Sequence, residues 1–451
     1  MNQKHVIKVN TSVKGIILLT LPISLAKLVP ELNYLLDSVF LGHLGSKELA
    51  LAGLTGVYYL IFSAVGFGLN NALLSIMSRR AGEGSRNQIF ATLWHGLAVG
   101  TTFALLTIGF THLFIDDILL WSGVEKMEAE MAAGFLRIRI WGLIFLFAYQ
   151  MQNAYIISLQ KSKYLLFGAI GIALVNMGLN YLLIFGIGGF PKMGFNGAAL
   201  ASVIAEFAGM VIVFLVIRWT KLSKKYKIRY QWTLHSKTML LVFKQGLPLM
   251  GQYAISLVAW WIFFILINRN YNVEEQAVSQ VMRNLFGLSG IFTWSFGSTA
   301  NTVLSNLLGQ GKSDEFFKIM NKIIRISLIG TALFAILINL FPGIFFGLFG
   351  QDDGFYESGV EILRIVSAAM LLISFGVIWL NAVVATGNTF IVFWVEAIGI
   401  IIYLVYIYLV MEHFHLDLRL AWISEWIYWL VMMFLSILYL KRGKWKTNAL
   451  Q

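Results

Sequence analysis

The chain has 451 residues, 58% of them hydrophobic and only 12% charged, with a formal net charge of +12 and no cysteine. A soluble domain carries about 25% charged residues, so the composition excludes a water-soluble globular protein, and the missing cysteines exclude disulfides and thiol chemistry. The apolar runs are about 20–30 residues long where barrel strands are about 9–11, which leaves an all-α polytopic membrane protein as the fold class.

Twelve transmembrane helices are expected, at about 14–42, 47–77, 87–115, 129–160, 163–187, 195–219, 238–268, 275–308, 315–349, 357–386, 389–411 and 417–440. Residues 1–14 are polar, and the first apolar run is long and lacks a small-residue cleavage site, so no cleavable signal is expected. With residues 1–13 cytoplasmic, most Lys and Arg collect on that side: Lys4, Lys8, Lys14, Arg79, Arg80, Arg86, the run from Lys221 to Arg229, Lys312, Lys318, Lys322 and the tail from Lys441 to Lys446. Asp116, Asp117, Glu274, Glu275, Asp352 and Asp353 fall on the other side. The positive-inside rule then places both termini in the cytoplasm, in a plasma (bacterial inner) membrane. The same rule accounts for the basic balance without nucleic acid, and the basic run reads as a solvated loop near anionic lipid.

The two halves repeat. LPISLAKL from Leu21 answers LPLMGQYA from Leu247, and SRRAGEGSRNQIFA from Ser78 answers SNLLGQGKSDEFFK from Ser305. FLRI at Phe135 answers ILRI at Ile362, and Asn153 answers Asn381. The expected organisation is an N-terminal six-helix half at 1–220, a cytoplasmic basic linker at 221–237 and a C-terminal six-helix half at 238–451. Six crossings per half keep the repeat parallel, with a pseudo-twofold axis along the membrane normal and a substrate path between the halves.

Polar residues inside apolar spans are the candidates for chemistry. The first span holds Lys27, Glu31, Asn33 and Asp37. A carboxylate at the centre of a membrane helix costs about 2.5–3.5 kcal/mol on insertion scales, so intramembrane acids are functional candidates. Pro30, Asn33 and Asp37 share one helical face, and Lys27 and Glu31 share another. Asp37 is read as a protonatable or ion-binding carboxylate; the alternative is a residue satisfied by neighbouring helices. Glu31 is either half of an ion pair with Lys27 or a second acid near a cavity.

At this point the motifs become recognisable. LLDSVFLGHLGSKELALAGL, Leu35 to Leu54, resembles the first-to-second-helix region of the MATE (multidrug and toxic compound extrusion) family. MGFNGAALAS, Met193 to Ser202, resembles that family's signature entering the sixth helix, and LLGQGKSDEF, Leu307 to Phe316, its glycine-rich turn after the eighth. The resemblance covers nearly the whole chain and implies a secondary transporter that exports organic cations against protons or sodium ions. It also implies a coupling site made of Asp37 with Asn176, Asn180 and Ser202, which Asn33 joins as the residue sharing the helical face of Asp37. The chain departs from the family at Asn180, where an Asp is common, and this weights the coupling towards protons. The acids that some members carry in the seventh and tenth helices are not expected here. The wider superfamily includes flippases for lipid-linked oligosaccharides, which is the alternative function; cationic residues lining the cavity would favour it, with Arg283 the residue to watch.

Further polar residues are weighed between cavity and interhelical roles: Glu206, Glu396, Glu425, and Gln280, Arg283 and Asn284 on one face of the eighth span. Tyr34, Asn70, Gln150, Asn153, Trp260 and Trp261 are substrate-cavity candidates, since aromatic faces attract organic cations by about 0.5–2 kcal/mol each. Neither a Walker pattern nor HExxH occurs, so an ion gradient is the expected energy source. The expected protein is a non-enzymatic monomer in the lipid bilayer, with small amphiphilic cations as cargo, H+ or Na+ as coupling ion, and no other cofactor, metal or nucleic acid.

Overall fold

The computed structural model describes residues 6–122, 124–226, 228, 232–233, 235–347, 353–443 and 445, without the side chains of residues 33–35, 38–39, 46, 49–50, 223 and 353–358. Among the described residues there is no strand. Seven principal helices make the N-terminal part: α1 (Val13–Gly42), α2 (Ser46–Glu83), α3 (Arg86–Trp121), α4 (Lys126–Arg139), α5 (Gly142–Ser158), α6 (Leu165–Phe185) and α7 (Phe195–Trp219). Six follow: α8 (Ser236–Asn270), α9 (Val273–Gly309), α10 (Phe316–Leu340), α11 (Asp353–Ala385), α12 (Thr389–Tyr408) and α13 (Ser424–Lys441). Ten helical stretches among the described residues are long and apolar enough to cross a membrane, and eleven if α4 and α5 count as one bent span. The expected eighth span is α9. It forms a 37-residue helix but carries Glu274, Glu275, Gln276, Arg283 and Asn284, so it is more polar than the rest.

The expected fourth span, continuous over 129–160, is instead broken, with a 42° bend between α4 and α5. No proline lies there. Gly142 opens α5, and a Cβ on it would stand 2.0 Å from Glu206 Oε2 and 2.5 Å from an Arg139 nitrogen. The bend thus lies beside a buried ion pair that only glycine leaves room for.

Turn chemistry repeats with the sequence. Gly84 and Gly311, 227 residues apart, both close the turn after a long helix in the left-handed conformation, at φ 74° and 75°. Gln160 and Gly387, again 227 apart, do the same at φ 60° and 84°. At the start of α9, Asn272 accepts from the Glu275 amide at 3.0 Å and Glu275 accepts from the Asn272 amide at 3.1 Å, a reciprocal cap.

The chain packs as two compact units, one containing Leu21–Met250 and the other Gly251–Gln451 together with Lys8–Thr20. Two of the three changes of unit, at 20/21 and 250/251, fall beside the repeated Leu-Pro motif, at Pro22 and Pro248. Within the second unit, Lys322 Nζ donates to the Thr11 carbonyl at 3.0 Å, and the hydroxyls of Thr20 and Thr299 meet at 2.8 Å.

The linker is more than the solvated basic loop expected from its charge. Ile228 is buried, and Trp232 sets its ring edge-on to Phe90 and Trp94 of α3, with centroids 5.1 and 4.9 Å away. His95, fully buried, hydrogen-bonds the Ala91 carbonyl through Nδ1 at 2.6 Å. Its Nε2 accepts the His235 amide at 2.7 Å. Such a ring carries its proton on Nδ1 and is satisfied at both nitrogens.

Candidate functional site

In the first unit, α1, α6 and α7 bring four of the five expected coupling residues into one hydrogen-bonded row. Asn176 and Asn180 lie one turn apart on α6 and so share a face. Asn180 Nδ2 donates to Asp37 Oδ1 at 2.5 Å and to Asn176 Oδ1 at 3.1 Å. Asn176 Nδ2 donates in turn to Ser202 Oγ at 3.1 Å. Asp37 is half-buried, and Asn176 and Asn180 are buried. Asp37 is the one carboxyl of the row. Asn180 Oδ1 is buried and has no hydrogen-bond partner among the described residues, so it is an open acceptor beside the carboxylate. The fifth residue, Asn33, and the cavity candidate Tyr34 have side chains outside the described residues.

Next to this row is a buried ion pair. Arg139 at the end of α4 donates to both oxygens of Glu206 on α7, at 2.7 and 2.9 Å. The Tyr59 hydroxyl lies 2.9 Å from each oxygen, and the guanidinium carbon sits 3.5 Å from the centroid of the Tyr59 ring. Both charges act on Asp37. Of the two roles open to Glu206, cavity acid or interhelical partner, the geometry fits the second, because a bidentate guanidinium and a phenol occupy its oxygens. Its partners lie 147 and 67 residues away, so local spacing carries no signal of the trio.

The remaining candidates divide. On α1 Glu31 is exposed and Lys27 half-buried. Asn70 of α2 donates to the Gln150 carbonyl of α5. Neither polar atom of the buried Gln150 side chain, nor Asn153 Oδ1, has a partner among the described residues, which leaves polar groups open to a ligand or water. In the second unit Gln280, Arg283 and Asn284 form an exposed face of α9, and Arg283 stands 5.3 Å from the centre of the Phe264 ring. Trp261 is exposed, whereas Trp260 turns into a small internal cavity. Glu396 of α12 is buried, held by Gln252 Nε2 at 3.0 Å and by the Tyr428 hydroxyl. Gln252 and Tyr428 escape a sequence reading because they are neutral and distant along the chain.

The MatE family model matches residues 22–182 and 248–409, which are two corresponding segments of the repeat. A probable multidrug resistance protein NorM of Thermotoga maritima is 21% identical over 450 residues, covering 97% of this chain and 94% of that protein. Another, of Synechocystis sp., is 26% identical over 211 residues, covering 47% of this chain and 45% of the relative, so that match spans about half the relative's length. A solved MOP superfamily transporter from Pyrococcus furiosus superposes with a TM-score of 0.85 at 16% identity, over 99% of both chains. With two matched segments covering most of the repeat, the apolar helices around them and this full-length likeness of fold, the chain belongs to the MatE family and is a multi-pass membrane protein of the multidrug and toxin extrusion (MATE) transporters.

Proposed function

We propose that this chain is a secondary active exporter that moves amphiphilic, cationic compounds out of the cell in exchange for protons, with Asp37 as the proton carrier. It would reside in a bacterial inner membrane with both termini in the cytoplasm, where the basic segments lie. The observation that carries this reading is the row Asp37–Asn180–Asn176–Ser202, with one carboxyl and otherwise neutral groups. The ionised carboxylate accepts from Asn180 Nδ2. Once protonated, it becomes a donor and has the open Asn180 Oδ1 as acceptor. One proton therefore reverses the polarity of the contact between α1 and α6. A two-state element that a proton biases in this way is what alternating access between two halves requires.

The same open Asn180 oxygen favours a second reading, sodium coupling. Asp37, Asn176, Asn180 and Ser202 all carry oxygens, but only one is charged, so a sodium ion there depends on neutral dipoles.

The test is ethidium export from proteoliposomes holding purified protein, driven by an imposed pH gradient or an imposed sodium gradient. The expected result is drive by the pH gradient alone and loss of more than about a hundredfold in rate for Asp37→Asn. Drive by sodium at fixed pH would replace the proton with sodium, and Asp37→Asn running at the unmutated rate would remove Asp37 from the mechanism.

A further inference from the structure

The second unit contains two carboxyl groups that the Asp37 reading does not use. Glu396 on α12 and Glu425 on α13 are each only 1% exposed. Glu396 accepts from Gln252 Nε2 through one oxygen and from the Tyr428 hydroxyl through the other, with Ser256 also on it. Glu425 has Tyr403, Trp429 and Trp260 around it. Its Oε2 makes no well-formed hydrogen bond among the described residues. That oxygen belongs to a residue lining a small cavity whose walls also include Ser256, Trp260, Tyr403 and Tyr428. Tyr428 connects the two acids, since it bonds Glu396 and lies within electrostatic reach of Glu425.

The charges facing the pair leave it uncompensated. From α8 come Gln252, Tyr253, Ser256 and Trp260, from α12 Tyr403, and from α13 Tyr428 and Trp429. The titratable ones are tyrosines, and no Lys, Arg or His is among them. Two ionised carboxylates at this depth would each lose their hydration with no cation in exchange. Burial without a cation disfavours the ionised form of each acid, and Tyr428 is the group on which both act. The hydrogen bonds distinguish them. Both oxygens of Glu396 are occupied by donors, which suits an anion, whereas Glu425 Oε2 has no well-formed hydrogen bond among the described residues.

We propose that Glu396 and Glu425 form a second proton-binding site, contained in the C-terminal unit, in which Glu425 holds the exchangeable proton and Glu396 is the anion fixed by Gln252 and Tyr428. The proton sits on Glu425 Oε2 at the cavity wall, beside the Tyr403 and Tyr428 hydroxyls. The site is independent of the Asp37 reading, because it lies on other helices and its occupancy is read without transport.

The experiment is an infrared pH titration of the purified full-length chain in lipid, following the C=O stretch of protonated carboxyl groups. At neutral pH the expected spectrum has a buried carboxylic-acid band that survives in Asp37→Asn and is lost in Glu425→Gln. Glu396→Gln, which removes the anion bonded to the linking Tyr428, is expected to move the midpoint of that band to lower pH. Tyr403→Phe keeps both acids and serves if a glutamine variant does not fold; it is expected to shift the band's frequency by removing a hydroxyl beside Glu425. A band that persists unchanged in Glu425→Gln, or is untouched in both Glu396→Gln and Tyr403→Phe, would overturn the proposal. So would a band that disappears on adding sodium chloride at fixed pH, since a cation would then be the natural occupant. An Asp37→Asn variant that stops transport yet keeps the band separates this site from the one in the first unit, and an Asp37→Asn variant that loses the band would overturn the proposal.

Discussion

Each unit buries carboxylates among its helices, and each handles them differently. In the first, Glu206 has Arg139 on both oxygens and Tyr59 beside it. In the second, the described residues around Glu396 and Glu425 offer an amide, a serine hydroxyl, phenols and indoles. The repeat makes the contrast sharper. In the register set by Gln160 and Gly387, Asn176 of the first unit corresponds to Tyr403. In the register of the Leu-Pro motifs, Asp37 corresponds to Phe263. Phe263 and Tyr403 pack at 6.1 Å between ring centroids, where Asp37, Asn180 and Asn176 make a polar row. One duplicated scaffold thus carries an acid–amide contact in one copy and an aromatic contact in the other. The second copy carries its acids at different positions. Duplication conserves how helices pack and turn, while the charge within that packing is free to move.

The comparison rests on Glu206 being compensated, and removing Arg139 breaks that first. Arg139→Leu leaves a buried carboxylate without its cation, and breaking a buried pair from one side costs about 3–5 kcal/mol. Thermal unfolding in detergent or lipid should show this loss, and Arg139→Leu combined with Glu206→Leu should recover most of it. A single variant as stable as the unmutated chain would mean that Glu206 is neutralised by something other than Arg139.

Gly142→Ala probes the same pair sterically. The added methyl would meet the Glu206 carboxylate and an Arg139 nitrogen, and overpacking of this kind costs about 1–3 kcal/mol. The expected signature is destabilisation that disappears when Glu206 is already Ala. Persistence of the penalty in that background would move the cause from the ion pair to the bend itself.

The second unit should answer in the opposite sense. Glu425→Gln removes an acid that has no basic partner among the described residues and is proposed to hold a proton, so stability at neutral pH should stay within about 1 kcal/mol of the unmutated chain or rise. Melting temperatures well below it would show that an ionised carboxylate is required there, and the difference between the two units would vanish.

How much of this could be read from the sequence depends on where each signal lies. Apolar run length and the one-sided distribution of Lys and Arg act along the chain, so the membrane class, nearly all of the helices and the repeat are legible. Asp37, Asn176, Asn180 and Ser202 were identified through the family resemblance, and they do meet. For Glu206 the sequence leaves a cavity role and a structural role open, because Arg139 and Tyr59 reach it only through the packing of α2, α4 and α7. The break between α4 and α5 has no proline to announce it; the glycine there matters only once Glu206 is known to face it. The linker reads as a solvated loop because its charge dominates its composition, whereas Trp232 and His235 set its contacts.

The smallest expected effect belongs to an exposed counterpart of the buried pair. Arg419 contacts Asp417 at 2.8 Å and Glu361 at 2.8 Å, with all three side chains about half exposed. The Arg419 guanidinium holds the Asp417 carboxyl below the usual carboxylate range. A carboxyl whose folded-state value is depressed contributes stability above its unfolded value and loses it as pH falls through the folded one. Whatever this cluster supplies is therefore fully present near neutral pH and disappears only in strong acid. Exposure limits its size, because water and salt screen surface charges. Arg419→Ala should leave the melting temperature barely changed at neutral pH, and the small difference should close in concentrated sodium chloride. The Arg139→Leu difference should persist in the same salt, since ions do not reach a pair buried between helices. If both differences closed together, burial would not be what separates the two clusters. The contrast between the units would then have to rest on the number of hydrogen bonds each carboxylate receives.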